Sequence, residues 1–383
     1  MIDIGNISIL VVDDTKSMRL TLREMLKNLF IGKNLWFAEN GEEGLEILNT
    51  VKCDLALVDW NMPVMNGFEM LEAIRNNQLL SDLPVIMVTA EASQDSIIRA
   101  AKMEIDGYLV KPLTLLSLDE KIKAVIQKAN LPPNQETLHR LKARKLEDKG
   151  EYKSAIEHIK KALSLNPSSS RLMRRLGFLY FKIKKDDIAE KCLLKAVSIN
   201  EFDNITRAHL ADYYINKNEI EKAGKYYLEI LSSSTQYHDK ALDLAKSLLI
   251  KGSRSMSLDI FSKIITGSIK QDDARETIID FCLSHNEFEF AQTFLEWSFK
   301  ADPSNYDILY RIGLIQKKLG HWEKALESFK KVDSQIKSHV KTKFQISAIY
   351  YKNRNTIKAE DYLDQILRID PENKIALALK EKI

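Results

Sequence analysis

Counted from Ala155 in steps of 34, the chain meets Ala189, Ala223, Ser257, Ala291, Ala325 and Ala359, with no insertion to break the register. Four residues after each small one comes a large apolar side chain: Ile159, Leu193, Tyr227, Phe261, Leu295, Phe329 and Leu363. Twelve residues before each stands a second, mostly small position: Ala143, Gly177, Ala211, Ala245, Ile279, Gly313 and Ser347. Pro167, Pro303 and Pro371 share one phase near the end of a unit. A unit of this length cannot bury an apolar face alone, so such units must stack on one another. The small residue lets two antiparallel helices approach. The large residue four positions on fills the space beside them, and proline stops the second helix. No strand-like alternation runs through residues 130–383, so this part is expected to be an all-helical array.

The pattern resembles tetratricopeptide repeats (TPR), with seven units starting near residues 136, 170, 204, 238, 272, 306 and 340 and ending at 373. Residues 374–383 read as a charged helix that caps the last unit. Ser257 and Ile279 depart from the small-residue rule, so the fourth and fifth units are expected to pack more loosely. The resemblance implies a concave groove, lined by the first helix of each unit, that binds a protein or peptide. Its groove positions fall on Arg140, Arg144, Arg171, Arg174, Phe178, Phe181 and Lys182 at one end. Tyr310, Lys317, Lys318, Phe344, Tyr351 and Lys352 fall at the other, with Asp273, Glu276 and Asp280 between. Some members clamp a peptide carboxylate with lysines and asparagines. Here Arg140, Arg144 and Arg174 stand in that neighbourhood without the asparagines, so that specificity is not assigned. Each of these residues taken singly also fits a solvated helix face.

The front of the chain differs. Residues 1–129 hold 13 Lys and Arg against 19 Asp and Glu, whereas residues 130–383 hold 44 against 35. An acidic front joined to a basic back suggests two domains with different jobs. Short apolar runs recur in the front: "ISILVV" (7–12), "LWFA" (35–38), "DLALV" (54–58), "PVIMV" (84–88) and "GYLV" (107–110). Helix-period stretches such as "SMRLTLREMLKNL" and "GFEMLEAIRN" separate them. Strands with so little polar alternation are buried on both faces, which predicts a parallel sheet covered by helices on both sides. "NLPPNQET" follows a final helix at about 115–129 and reads as a linker over 130–135.

In such sheets functional groups sit beyond the carboxyl ends of the strands. Asp13 and Asp14 follow the first run, Asp59 the third, Thr89 the fourth, and Lys111 with Pro112 the fifth. Singly each has an ordinary reading. Asp14 and Thr89 could cap helices, Lys111 could be a surface charge, and Asp59 could merely end a strand. Together they are harder to dismiss. Three clustered carboxylates repel one another unless a cation lies among them, and hard oxygens suit Mg²⁺. A lysine beside them is a poor metal ligand but a good partner for phosphate oxygens.

"LVVDD", "DWNMPVMNGFEML", "VIMVTAEA" and "GYLVKP" resemble the receiver domain of response regulators, and most of all its CheY-like members. The resemblance implies a flavodoxin-like fold with strand order 2-1-3-4-5. It makes Asp59 the phosphoacceptor, which takes a phosphoryl group from a phosphohistidine. Asp14, Asp59 and the backbone carbonyl of Asn61 would bind Mg²⁺, with Asp13 helping through water. Lys111 would pair with a phosphoryl oxygen and Thr89 would bond another. Tyr108 would follow Thr89 as the switch aromatic, and a cis peptide would precede Pro112. The side chains of Asn61 and Glu91 would tune the lifetime of the acyl phosphate and keep it short. Asn66, where many receivers carry Asp, touches none of these roles.

The expected function is a phosphorelay response regulator that signals through protein–protein contacts of its repeats. Its partners would be a sensor histidine kinase or phosphotransfer protein and a protein or peptide in the groove. The face of the fourth receiver helix, fifth strand and fifth helix is a further candidate for homodimerisation. No helix-turn-helix follows the receiver, which argues against a DNA-binding output. No second catalytic constellation is evident, so the chain is not expected to be an enzyme beyond its own phosphorylation and dephosphorylation. Two alternatives remain at this point. The repeats could bind constitutively, as a scaffold or phosphate sink. The basic clusters "HRLKARK", "RLMRR" and "KSHVKTK" could instead bind RNA. Three scattered cysteines, no basic-then-apolar leader and no run of 18 apolar residues lead to the expectation of a cytoplasmic protein without membrane insertion.

Overall fold

The computed structural model describes residues 3–77, 79–90, 105–267 and 271–383, without the side chains of 267, 271 and 272. The chain divides into two compact units, Met1–Ile269 and Lys270–Ile383.

The first unit opens with a five-stranded sheet. Its strands are β1 (Ser8–Val12), β2 (Asn34–Ala38), β3 (Leu55–Asp59), β4 (Val85–Thr89) and β5 (Gly107–Val110), in the order β2-β1-β3-β4-β5. All four pairings are parallel, with Ile9 opposite Leu55, Val58 opposite Met87 and Thr89 opposite Val110. Helices α1 (Lys16–Asn28) and α4 (Leu115–Ala129) supply Leu22, Leu26, Leu118 and Ile122 to one face of the sheet. Helices α2 (Gly41–Thr50) and α3 (Gly67–Asn76) supply Leu48, Met70, Leu71 and Ile74 to the other. Alternate strand residues serve the two cores: Ile9, Val11 and Leu57 go to the first, Leu10, Val12 and Val58 to the second. That double burial is why the strands read as unbroken apolar runs.

The third and fourth strands run one residue further than their apolar letters suggest, so Asp59 and Thr89 are themselves the last strand residues. The Asn66–Gly67 step fixes where α3 starts. The Asn66 side chain accepts from the Phe68 and Glu69 amides while Glu69 accepts from the Asn66 amide, a reciprocal cap. The Gly67 amide donates to the Trp60 carbonyl at 3.0 Å. A Cβ on Gly67 would lie 2.1 Å from the Asp59 carbonyl oxygen, so only glycine lets α3 begin so close to the end of β3.

After residues 130–134 come α5 (Gln135–Asp148), α6 (Tyr152–Leu165), α7 (Ser170–Lys182), α8 (Asp186–Ile199), α9 (Asn204–Asn216), α10 (Ile220–Leu231), α11 (His238–Ile250) and α12 (Arg254–Gly267). Asn134 caps α5 by accepting from the Thr137 amide. The second unit holds α13 (Gln271–Ser284), α14 (Phe288–Ala301), α15 (Tyr306–Lys318), α16 (Trp322–Gln335), α17 (Val340–Lys352), α18 (Thr356–Ile369) and the short α19 (Lys374–Lys380).

Every small residue of the 34-residue series, and every large one four places on, is fully buried. In the second unit a Cβ on Gly313 would stand 2.6 Å from the Phe329 ring, which shows why a glycine faces that phenylalanine. Ser257 and Ile279, the two departures from the small-residue rule, are both fully buried. The Ser257 hydroxyl donates to the Ala245 carbonyl at 2.8 Å, twelve residues back. Ser347 does the same in mirror image to Ala359 at 2.8 Å. A serine at either small position thus replaces a methyl contact with a satisfied hydrogen bond.

The period also shows in the backbone. Gly150, Lys184, Asn218, Gly252, Asn286, Gly320 and Arg354 stand 34 residues apart, and all have positive φ. Each closes the first helix of a pair. The amide after it reaches five positions back, as from Glu151 to Leu146, Lys185 to Tyr180 and Asn355 to Tyr350.

Candidate functional site: an aspartate–lysine centre at the sheet rim

The carboxyl ends of β1, β3, β4 and β5 bring the predicted residues to one rim. Lys111 reaches inward between two carboxylates, with Nζ donating to Asp13 Oδ2 at 2.8 Å and to Asp59 Oδ1 at 2.5 Å. Both acids are nearly inaccessible, Asp13 at 1% and Asp59 at 6% exposure. Burial pushes the Asp59 carboxyl above its usual range; Lys111 works against that, and the charges of Asp13 and Asp14 add to it. Burial also opposes charge on Lys111, but its hydrogen bonds to Asp13 and Asp59 prevail and hold the ammonium above its ordinary range. The peptide before Pro112 is cis. The Lys111 amide donates to the Thr89 carbonyl at 2.7 Å.

The remaining rim residues take distinct places. Asp14 is exposed and accepts from the Thr15 hydroxyl at 3.1 Å. It does not cap α1: Thr15 is the cap residue, and its amide is held by Asp13 at 2.9 Å. The Asn61 amide donates to Asp59 Oδ2 at 3.2 Å. Thr89 is fully buried. Tyr108 is half-buried and meets Trp60 edge-on, with ring centroids 6.5 Å apart. Glu91 lies outside the described residues, as does the segment assigned to the fourth receiver helix.

One contributor escaped the sequence reading. Arg19 donates to the Asp13 carbonyl at 2.7 Å and the Asp14 carbonyl at 3.1 Å and pairs with Glu39, which pins the loop that carries both acids. An arginine one turn into the helix after "DD" was the available signal.

The rim oxygens, three carboxylates and the Asn61 carbonyl, are of the hard type that suits Mg²⁺. Among the described residues no three acidic, His or Cys side chains form a ready metal cage. Lys111 stands between Asp13 and Asp59, and Asp14 faces outward. The donor chemistry fits a divalent cation, and in this arrangement the lysine supplies the positive charge.

The groove candidates divide between the two units. In the first, Arg140 forms an ion pair with Asp82, and Arg171 donates to the Ser81 carbonyl at 3.4 Å. Arg144 lines a cavity together with Asp82, Arg140 and Arg171. Arg174 is not an open groove residue as the sequence implied. It is 7% exposed and paired at 2.6 Å with Asp203, which also caps α9. Phe178 packs edge-on against His209 at 4.4 Å. In the second unit, Lys317 donates to Gln345 at 2.6 Å and Tyr310 packs on His339 at 5.1 Å. Phe344 lies against the Leu363–Ile366 cluster, and the Tyr351 hydroxyl donates to the Lys382 carbonyl at 3.3 Å. Lys352 sits over the Trp322 ring at 3.2 Å, and Arg311 bridges Glu276 and Asp280. Among the described residues no helix is long and apolar enough to cross a membrane.

Comparison with known proteins bears on both parts. Residues 9–123 match the response regulator receiver domain. Tetratricopeptide repeat models match residues 141–169, 171–203, 307–335 and 340–373. The chain is 42% identical over 122 residues to the chemotaxis protein CheY of Pseudomonas aeruginosa, which covers 32% of this chain and 98% of that protein. It is 39% identical over 123 residues to CheY-3 of Vibrio cholerae, covering 32% and 94%. The solved structure of CheY4 of Vibrio cholerae aligns with 29% identity and a TM-score of 0.30, covering 31% of this chain and 98% of that one. The chain belongs to the response regulators, with a CheY-like receiver domain of phosphorylation-type signalling in front and tetratricopeptide repeats behind.

Proposed function

We propose that this response regulator accepts a phosphoryl group on Asp59 from a histidine kinase or phosphotransfer protein, and that its repeats pass the signal to a protein partner. The observation that carries this reading is Lys111 held between the buried Asp13 and Asp59. In the transfer, an Asp59 carboxylate oxygen attacks phosphorus, the phosphorus–nitrogen bond to the donor histidine breaks, and an acyl phosphate forms. Phosphoryl transfer mostly needs groups placed and charge offset. Lys111 is close enough to hold a phosphoryl oxygen on Asp59, and Thr89 offers a hydroxyl at the end of the adjacent strand. Mg²⁺, which Asp14, Asp59 and the Asn61 carbonyl would hold with Asp13 behind them, neutralises charge on the acids and the phosphoryl group when bound. The phosphoryl group brings about −1.5 to −2 charges. It gives Lys111 and Thr89 a new shared acceptor, a differential contact that can shift an equilibrium. Tyr108 borders this site through Trp60.

The test is intact-mass analysis after incubation with acetyl phosphate and Mg²⁺. One phosphoryl mass is expected on the wild-type chain and none on Asp59→Asn. An equal gain in both would refute Asp59 as acceptor. RNA binding is not favoured by the charges in the first unit: Arg140, Arg174, Arg175 and Arg207 are each engaged by a carboxylate.

A further inference from the structure

Eight of the ten residues of α3 are buried. A helix that covers one sheet face should bury only the stripe that meets the sheet, here Met70, Leu71 and Ile74. Yet Glu69 is 5% exposed and Glu72 9%, so the far side of the helix is covered as well. The first three repeats cover it. Glu69 Oε1 accepts from the Ser234 hydroxyl at 2.5 Å and the Thr235 amide at 3.2 Å, in the turn between α10 and α11. Glu72 Oε1 accepts from the Ile205 amide at 3.0 Å, in the first turn of α9, where free amides and the helix dipole favour an anion. Just past α3, Asp82 pairs with Arg140 of α5, and the Ser81 carbonyl accepts from Arg171 of α7. Burial works against charge on Asp82, but Arg140, Arg171 and Arg144 hold its carboxyl below the usual range. These partners lie on or beside the first helices of successive repeats, the helices that would line a groove.

The other end of α3 touches the phosphoacceptor. Gly67 stands against the Asp59 carbonyl and bonds to Trp60, and the Phe68 ring lies 3.8 Å from that of Trp60. Glu69 follows two residues later. A shift of the Asp59–Trp60 backbone therefore cannot leave Glu69 and Glu72 in place unless α3 slides against it. Burying two carboxylates costs free energy, which leaves such a contact poised to open.

We propose that α3 is the resident occupant of the groove of the first three repeats, an intramolecular clasp that a phosphoryl group on Asp59 loosens. The coupling half of this proposal rests on Asp59 being the phosphoacceptor. Any outside ligand of these groove residues then competes with the receiver itself, and the route from site to output runs along α3.

Hydrogen exchange of the full chain tests it, read over residues 203–210 and 232–238. Glu72→Lys sets an ammonium against the α9 N-terminus and is expected to speed exchange in both segments about tenfold or more. Glu72→Gln keeps an acceptor for the Ile205 amide and is expected to leave both protected, which separates release of the clasp from misfolding. Beryllofluoride with Mg²⁺ is expected to speed the same segments in the wild type and not in Asp59→Asn. The proposal is overturned if Glu72→Lys leaves both segments as slow as the wild type. It is equally overturned if beryllofluoride changes the Trp60 emission but not their exchange. A Trp60 emission that ignores beryllofluoride would defeat the phosphoacceptor reading instead, and the Glu72→Lys comparison then decides the clasp alone.

Discussion

Glu72 makes the receiver–repeat contact a titrating one. Burial, then the nearby charge of Asp203, push its carboxyl up from an ordinary 4.5 to about 7, against the pull of the Ile205 amide and Arg174; Glu69 adds a further push upward. The sign follows from proton counts. Between these two values the docked state keeps a proton that the undocked state has released, so docking weakens as pH rises. The contribution is fully present below about pH 4.5 and is lost as pH passes through about 7. At about 1.4 kcal/mol per tenfold change, the loss between pH 5 and pH 8 is on the order of 2.5 kcal/mol, or roughly 50- to 100-fold in the opening equilibrium. Glu72→Gln removes this dependence and should dock more tightly than the wild type at pH 8. A chain of several domains has no single unfolding free energy, so local exchange of the amides near Ile205 is the suitable assay, corrected for the pH dependence of chemical exchange. The wild-type to Glu72→Gln ratio of exchange should climb steadily from pH 5 to pH 8. A ratio that stays flat would refute the assignment of a buried, proton-holding Glu72.

Four further outcomes follow from the same geometry. Lys111→Ala strands Asp13 and Asp59 without their cation and should cost the receiver about 3 kcal/mol; Mg²⁺ should restore part of this in a thermal melt, and an unchanged midpoint would contradict it. Gly67→Ala forces a Cβ to 2.1 Å from the Asp59 carbonyl oxygen. It should therefore destabilise the receiver by about 1–3 kcal/mol and slow phosphoryl uptake from acetyl phosphate. Lys184 and Arg354 occupy left-handed positions where other units have Gly or Asn, so Lys184→Gly and Arg354→Gly should each stabilise their repeats by about 1 kcal/mol, read in urea titrations. By the resemblance to CheY-like receivers, the residue types at Asn61 and Glu91 imply a short-lived acyl phosphate on Asp59, and a half-life of hours on the purified protein would contradict that.

Much of this was legible because the relevant rules are local. Apolar strands that end in Asp13, Asp59, Thr89 and Lys111 announce both a doubly covered parallel sheet and a shared rim, since the fold itself gathers strand ends. The 34-residue alternation of small and large residues reports helix-pair packing directly. What stayed hidden was long-range. Glu69 and Glu72 look like ordinary solvent-facing charges of an amphipathic helix, and nothing in their spacing says that Ser234 and Ile205 will meet them. The imbalance between an acidic front and a basic back was visible, but it read as a sign of separate jobs rather than of mutual contact. Arg174 looked like a groove residue because its helical position is right; its partner Asp203, 29 residues away, makes it structural. The positive-φ series at 150, 184 and onward was also in the sequence, masked by Lys184 and Arg354 among the glycines and asparagines.

The central claim is that phosphorylation at Asp59 changes what the repeats bind. Its most direct measurement compares affinity pulldowns from one lysate with the unmodified chain, the chain carrying beryllofluoride and Mg²⁺, and Asp59→Asn treated in the same way. The account predicts a protein recovered differently by the beryllofluoride form, with Asp59→Asn behaving as the unmodified chain. Identical recovery in all three would contradict it and leave a constitutive scaffold or phosphate sink.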